Sequence, residues 1–221
     1  MNDNHKHHSR LDLEEIWDQV PPDYYQNGIK RNFLQYFWHT RKLKSIIDIV
    51  DIEPNNILDV GCASGWFLSE ISLVYPKAKC TGVDVYKKAI DYGKKTYKKL
   101  KLVQADAHNL PFKKNSFDLV ICTEVLEHVV DPEKVLGEIK RVLTNDGIAI
   151  VEMDSGNFLF KAVWYLWTNA RNGVWHHSHI YQFNAKKLER MIEKNGFAIA
   201  QKKSFNFSMA VAFNLKLKNK I

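Results

Sequence analysis

Cysteine is scarce in this chain. Cys62, Cys80 and Cys122 make an odd number, are widely spaced and form no C-x-x-C pair. A disulfide framework is therefore disfavoured, and reduced, partly buried thiols are expected. Long hydrophobic runs are also missing. The most apolar stretch, Phe158–Trp167, is interrupted by Lys161 and is too short to span a bilayer. Met1–Arg10 is polar and histidine-rich, without the apolar core of a signal peptide, so a cytoplasmic protein is expected. His5, His7 and His8 read as part of a flexible tail over residues 1–15 rather than as a metal site. Arginine is sparse too: of 32 basic residues only six are Arg. The formal charge of +7 is thus carried mostly by lysines spread along the chain, as in Lys87-Lys88, Lys94-Lys95 and Lys98-Lys99. A solvated lysine surface fits this better than a nucleic-acid footprint. No internal repeat and no low-complexity linker is present.

What remains is an ordinary globular composition, 45% hydrophobic and 26% charged over 221 residues. That suffices for one domain with a full core. Apolar residues recur at helical spacing over Ile29–Val50. Short Val/Ile/Leu-rich strands are expected at Ile57–Val60, Cys80–Val85, Leu102–Ala105, Phe117–Thr123 and Ile148–Met153. Helices are expected at Trp66–Val74, Lys87–Lys99, around Val125–Val129, and from Pro132 to Leu143 with Asp131 as N-cap. Asn145-Asp146-Gly147 reads as a turn. Alternation of this kind argues an α/β fold, a mostly parallel sheet with helices on both faces. The rhythm changes after residue 154. An apolar, aromatic segment Asn157–Asn169 precedes a helix Ala185–Asn195 stopped by Gly196. Strands Phe197–Ala200 and Phe213–Leu217 follow, joined by an irregular stretch. The chain thus divides into a helical cap (16–52), a central core (53–155) and a C-terminal part (156–221).

Asp59-Val60-Gly61-Cys62-Ala63-Ser64-Gly65 follows a strand and opens a helix. Its glycines permit a tight turn and close approach of a ligand to the backbone. Asp84 ends the second strand in Gly82-Val83-Asp84-Val85, where a carboxylate can accept hydrogen bonds from both ribose hydroxyls of an adenosine. Asp106 follows the third strand in Gln104-Ala105-Asp106-Ala107 and can accept from an adenine amino group. Each aspartate alone reads better as a cap or turn residue. Three at the ends of successive strands are harder to explain that way. A dinucleotide loop would need G-x-G-x-x-G, whereas this one has G-x-x-x-G followed by Trp66 and Phe67.

ILDVGCASG, GVDV, the run Asp106–Phe112 with Ser116-Phe117-Asp118, Val125-Leu126-Glu127-His128-Val129, and Glu138–Leu143 with Asp146-Gly147 together resemble the motifs of class I S-adenosylmethionine-dependent methyltransferases. The likeness is to the broad group that includes the quinone-biosynthesis enzymes. It covers about residues 55–155 well, with Ala63 in place of a commonly found middle glycine. It implies a Rossmann-like seven-stranded sheet with its last strand antiparallel. It also implies S-adenosylmethionine as cofactor, with Asp59, Gly61, Cys62, Ala63 and Gly65 at its methionine end. Asp84 and Val85 would then hold the ribose and Asp106 and Ala107 the adenine, while Thr123 lies under the sulfonium.

Methyl transfer from a sulfonium needs in-line placement and, at times, removal of a proton, so no loud catalytic motif is required. Glu127 and His128 are the candidate catalytic residues. Glu124, Glu127 and His128 form E-x-x-E-H, which on a helix would share a face. With His179 they could hold Mg²⁺ or another divalent cation that lowers the pKa of an acceptor hydroxyl. The competing reading makes Glu127 and His128 capping residues of the site wall. The segment Ile16–Tyr25 and the aromatics Trp164, Tyr165, Trp167 and Trp175 are candidate walls for a small aromatic or lipophilic acceptor, methylated at oxygen. The same aromatics would suit core packing, an oligomer interface or a peripheral membrane contact. An RNA-end 2′-O-methyltransferase and a non-catalytic cofactor-binding subunit are the alternatives. Oligomeric state is left open.

Overall fold

The computed structural model describes residues 20–170 and 184–218. Its centre is a seven-stranded sheet in the order β3-β2-β1-β4-β5-β7-β6. The strands are β1 (Asn56–Val60), β2 (Lys79–Asp84), β3 (Lys101–Gln104), β4 (Phe117–Thr123), β5 (Leu143–Asp154), β6 (Phe197–Phe205) and β7 (Ala210–Leu217). β1 to β5 are mutually parallel, and β7 runs antiparallel to both β5 and β6.

Strand alternation explains the two cores. On β1 and β4, Leu58, Val60, Val120 and Cys122 face one side and Ile57, Leu119 and Ile121 the other. Helices α5 (Pro132–Val142) and α7 (Ala185–Lys194) cover the first side through Leu136, Ile139, Leu188 and Ile192. Helices α2 (Phe33–Ile47), α3 (Trp66–Val74) and α4 (Lys87–Thr96) cover the second through Ile46, Ile71 and Ile90. Each such fully buried Leu or Ile contributes about 1.5–3 kcal/mol. Cys62, Cys80 and Cys122 are all buried free thiols. Among the described residues no helix is long and apolar enough to cross a membrane.

Several expected boundaries shift. The helix expected over Ile29–Val50 is two helices, α1 (Tyr24–Arg31) and α2, broken at Asn32. Asn32 is extended, and its side chain accepts from the amides of Leu34 and Gln35, so it caps the second helix instead of continuing the first. Asp131 does cap α5, accepting from Lys134 N at 3.0 Å, with Pro132 in the first turn. Asn145–Gly147 is not a separate turn. β5 begins at Leu143, and the register shifts between the Phe117–Leu143 and Leu119–Ile148 pairs, so these residues form a bulge within the strand. The irregular stretch between the last strands is also shorter than expected. β6 and β7 form a hairpin whose tip, Asn206, Phe207 and Ser208, is held at positive φ. Asn157–Asn169 coincides closely with helix α6 (Phe158–Ala170).

The hairpin anchors α2. Asn206 Nδ2 donates to the Trp38 carbonyl, and Asn214 Nδ2 to the Ile49 carbonyl at 2.7 Å. Gly93 in α4 anchors the loop after β1, since a Cβ there would stand 2.3 Å from the Ser64 carbonyl oxygen. Alanine is favoured over glycine in a helix by up to about 1 kcal/mol, but overpacking against fixed backbone costs about 1–3 kcal/mol. Gly93→Ala is therefore expected to be net destabilising, read as a lower urea midpoint at unchanged m-value.

Candidate active site

β1 lies between β2 and β4, so the connections leave it toward opposite sides and a crevice opens at the strands' carboxyl ends. The loop after β1 turns there. Gly61 has φ +77°, and a Cβ on it would meet Val125 Cγ2 at 2.2 Å. No other residue type fits. The amides of Gly61 and Cys62 donate to the Val83 carbonyl at 2.8 and 3.0 Å. Asp84 closes the loop. Its Oδ2 accepts from Ala63 N at 2.7 Å and its Oδ1 from Tyr86 N at 2.8 Å. Ala63 holds φ +47° in the place of a glycine.

A cavity of about 560 Å³ occupies the crevice. Of the ten sequence-predicted cofactor residues, Gly61, Ala63, Asp84, Val85, Asp106, Ala107 and Thr123 line it. Asp59, Cys62 and Gly65 stand behind the wall: Asp59 is 2% exposed, and Gly65, at φ +84°, is the N-cap of α3. The seven lining residues follow β1, β2, β3 and β4 in turn. Each carboxylate oxygen of Asp84 can accept beyond its backbone bond. The residues present therefore fit an adenosine-bearing ligand.

Sequence reasoning missed His108, Tyr86 and Gln26. Asp106 Oδ1 meets His108 Nδ1 at 2.6 Å and also accepts from His108 N. His108 Nε2 in turn lies 3.2 Å from Asp131 N, which fits an Nδ1-protonated ring. Tyr86 Oη donates to the Val20 carbonyl at 2.8 Å, and Gln26 Nε2 donates to Ser64 Oγ at 2.8 Å. These bonds fold residues 20–26 over the cavity, where Val20, Pro21, Pro22, Tyr24 and Tyr25 form its roof. Only the proximity of His108 to Asp106 was a sequence signal. Of the other expected wall residues, Tyr165 of α6 does not line the cavity, and the side chains of Trp164 and Trp167 lie outside the described residues. Phe158, Leu159, Val163 and Tyr165 are exposed, and Trp175 lies outside the described residues.

The expected helix at Val125–Val129 is a correction. It is one turn, closed by His128 N to the Val125 carbonyl at 2.9 Å, and Glu124 before it sits at φ +54°. The shared helical face of E-x-x-E-H is thereby lost. His128 and Glu124 line the cavity, while Glu127 turns into the core at 2% exposure. Among the described residues no three His, Cys, Asp or Glu side chains are grouped to hold a metal ion, and His179 lies outside those residues.

Behind Glu124 stands a buried charge cluster that the sequence did not announce. Lys42 of α2 is 5% exposed. Its Nζ lies 2.9 Å from Glu152 Oε2 and 3.5 Å from Glu124 Oε1. Burial opposes the ammonium charge, but the two carboxylates outweigh it and hold its pKa above the ordinary lysine value. Burial raises Glu152 to about 8 and pushes Glu127 and Asp154 well up, each reinforced by the neighbouring carboxylate of Glu124. His39, edge-on to both Tyr25 and Trp66, is driven down to about 3 by burial and by Lys42.

Burial likewise raises Asp59 to about 8, against the pull of Lys42. Its folded pKa thus lies above its unfolded value, so the folded state binds the extra proton. The stability this gives is complete below the unfolded pKa and is lost as pH rises toward 8. Asp59→Asn removes that dependence. Relative to the native chain the variant should gain on the order of 1–2 kcal/mol between pH 6 and pH 8. Denaturant titrations at the two pH values test this, and a constant difference would contradict it.

Comparison with known proteins agrees with this architecture. Residues 58–151 match a family model described as a methyltransferase domain. Demethylmenaquinone methyltransferase of Staphylococcus aureus is 30% identical over 203 residues, 83% of this chain and 83% of that protein. Malonyl-[acyl-carrier protein] O-methyltransferase of Legionella pneumophila is 30% identical over 140 residues, 62% of this chain, which spans about half (48%) of that protein's length. A solved S-adenosylmethionine-dependent methyltransferase from Thermotoga maritima superposes with a TM-score of 0.71 at 20% identity, over 94% of this chain and 100% of that one, a likeness of fold. With the glycine loop, the strand-end aspartates and the 3-2-1-4-5-7-6 sheet assembled around one cavity, the chain belongs to the class I S-adenosylmethionine-dependent methyltransferases.

Proposed function

We propose that this enzyme methylates a small aromatic or lipophilic acceptor at oxygen, with its donor held by the residues lining the crevice. The observation that carries this reading is the division of the cavity wall. Asp84, Asp106, Ala107 and His108 offer polar groups at the β2 and β3 side, and Val20, Pro21, Pro22, Tyr25, Val125 and Val129 offer an apolar surface elsewhere. Polar groups fix orientation in such a site, and apolar walls exclude water from the reacting atoms.

When bound, S-adenosylmethionine supplies a methyl group already activated by the positive sulfur. In this reading Asp84 accepts from the ribose hydroxyls, Asp106 and the Ala107 backbone hold the adenine, and Gly61 admits the methionine moiety close to the chain. Thr123 lies beside the sulfur. The enzyme's remaining tasks are placement and proton removal. Tyr24 and Tyr25 confine the acceptor from above. His128, turned to the cavity by the bend at Glu124, takes the acceptor's hydroxyl proton as the oxygen gains its methyl. Glu127 lies behind the wall and takes no part in that transfer. The relatives act on a demethylated quinone and on a malonyl thioester, by their names, and both are chemically compatible acceptor classes for the test.

Calorimetric titration with S-adenosylmethionine comes first. Binding is expected to the native chain and to fall at least about tenfold in Asp84→Ala, which loses charge-assisted hydrogen bonds of about 1.5–3 kcal/mol. NADH should not bind. Incubation of labelled donor with a demethylmenaquinone-type quinol and with malonyl-acyl carrier protein follows. Label on a quinol oxygen or on the malonyl carboxyl supports O-methylation, and label on ring carbon overturns it. His128→Ala should lower turnover about 10²-fold or more while donor affinity stays within about twofold.

A further inference from the structure

Folding hides most large aromatic side chains, and singly scattered exposed ones need no explanation. Here they gather at one edge. Phe33 at the start of α2 is 77% exposed, Phe207 at the hairpin tip 70% and Phe158 at the start of α6 88%. Leu34 and Leu159 beside them are exposed too. The three elements are neighbours. The Phe207 ring stacks on that of Phe37, one turn along α2 from Phe33, with centroids 6.4 Å apart. Asn157, which precedes Phe158, donates from Nδ2 to the Ser208 carbonyl at 2.7 Å.

Presenting Phe207 outward costs stability in two ways. Asn206, Phe207 and Ser208 all sit at positive φ, between 49° and 62°, which non-glycine residues adopt only where their surroundings hold them. An exposed phenyl ring also forgoes the gain from burial. Charge follows the same edge. None of the chain's 25 acidic residues lies within residues 24–47, 155–188 or 197–218, the segments that carry α1, α2, α6 and the hairpin. Basic residues do occur there. Lys30 and Arg31 at the end of α1, Arg41 in α2 and Lys161 in α6 are all exposed. The Arg41 guanidinium lies 5.1 Å from the Phe37 ring centroid, and Lys161 is the one charged residue of α6. α1 also roofs the cavity through Tyr24 and Tyr25, and Gln35 Nε2 of α2 donates to Tyr24 Oη at 3.5 Å. The apolar edge thus adjoins the cavity roof.

We propose that this edge docks on an anionic lipid bilayer. Phe33, Phe158 and Phe207 enter the interface, and Lys30, Arg31, Arg41 and Lys161 meet the phosphate headgroups. A bilayer of this kind is layered, with negative charge above an apolar interior. Aromatic rings flanked by residues whose charges are all positive complement both layers. A protein partner would instead meet a rim of mixed polarity. Docking is at the surface, since among the described residues no helix is long and apolar enough to cross a membrane. The proposal adds to the acceptor reading a place where a lipophilic acceptor is met, beside the cavity roof, but docking itself does not depend on that reading.

Vesicle flotation of the full chain tests this without donor or acceptor. The native chain is expected to float with vesicles of mixed phosphatidylglycerol and phosphatidylcholine, and to stay behind with vesicles of phosphatidylcholine alone. Phe158→Ser combined with Phe207→Ser should lower partition into the anionic vesicles about tenfold or more, because two rings no longer insert. Lys30→Ser combined with Arg31→Ser should lower it about fivefold for each charge removed, and added salt should weaken binding of the native chain. None of these side chains lines the cavity, so each variant should keep a near-native Tm and its affinity for S-adenosylmethionine. The charge variant carries the test should the aromatic one not fold. Binding to neither kind of vesicle, equal binding to both, or folded variants that float as the native chain does overturns the proposal. Sedimentation equilibrium that finds a native dimer, dissociated by the aromatic variant, together with no vesicle binding, overturns it in favour of a second copy of the chain. Failure of the native chain to bind S-adenosylmethionine while it still floats overturns the cofactor reading and leaves docking standing.

Discussion

The buried ammonium of Lys42 is the constraint around which the site is organised. Four acidic side chains, Glu124, Glu127, Glu152 and Asp154, gather at the ends of β4 and β5, where parallel strands deliver them together. Taking so many carboxylates out of water is affordable only if some stay protonated and the rest are paired. The raised pKa values of Glu127, Glu152 and Asp154 show the first device, and Lys42 supplies the second. Among the described residues it is the only buried cation. Removing it would leave ionised groups uncompensated in the core.

Lys42 can stand there because α2 is pinned from two sides. Asn32 starts the helix with its own side chain, and the β6–β7 hairpin holds it through Asn206 on the Trp38 carbonyl and holds the chain just past its end through Asn214 on the Ile49 carbonyl. Lys203 and Lys216 add exposed ion pairs to Asp48 and Asp51, which contribute little each. The final hairpin, remote from the cofactor motifs in sequence, thus helps fix a side chain under the cavity. α1 depends on the same assembly, because Gln26 reaches the Ser64 hydroxyl and Tyr86 holds the Val20 carbonyl. The roof of the cavity is built from contacts between the chain's first described residues and the glycine loop.

The two halves of the cavity differ in how they are made. At the β2 and β3 ends, backbone amides meet strand-end aspartates: Asp84 accepts from Tyr86 N, two residues on, and from Ala63 N in the loop after the neighbouring strand β1. At the β4 end, Glu124 leaves the strand at positive φ and its neighbours come from α2 and β5. The first half is what members of this family share in their motifs. The second draws on side chains far apart in the chain, Lys42 of α2 and Glu152 of β5.

The strands β1 and β4, helix α3, the Asp131–Pro132 helix start and the glycine loop were legible in the sequence, because each is specified by period, cap chemistry or backbone freedom over a few adjacent residues. So were the aspartates at successive strand ends. Boundaries failed where a polar side chain overrode helical spacing, as at Asn32, or where sheet pairing absorbed a turn signal, as at Asn145–Gly147. The E-x-x-E-H segment misled for a related reason. Spacing alone put its three side chains on one face, but the bend at Glu124 sends Glu127 into the core and leaves His128 at the cavity. Asp59 kept its motif position yet stands behind the wall, since the loop turns away from the sheet only after it. Lys42 could not have been found at all: in sequence it is one lysine among many, and only long-range packing of α2 against β5 makes it a buried charge. The sequence by itself determined the α/β rhythm and the adenosine-facing groups. Tertiary structure alone decided which carboxylates meet, which are charged and which one faces the cavity, because those depend on burial and on partners brought from distant parts of the chain.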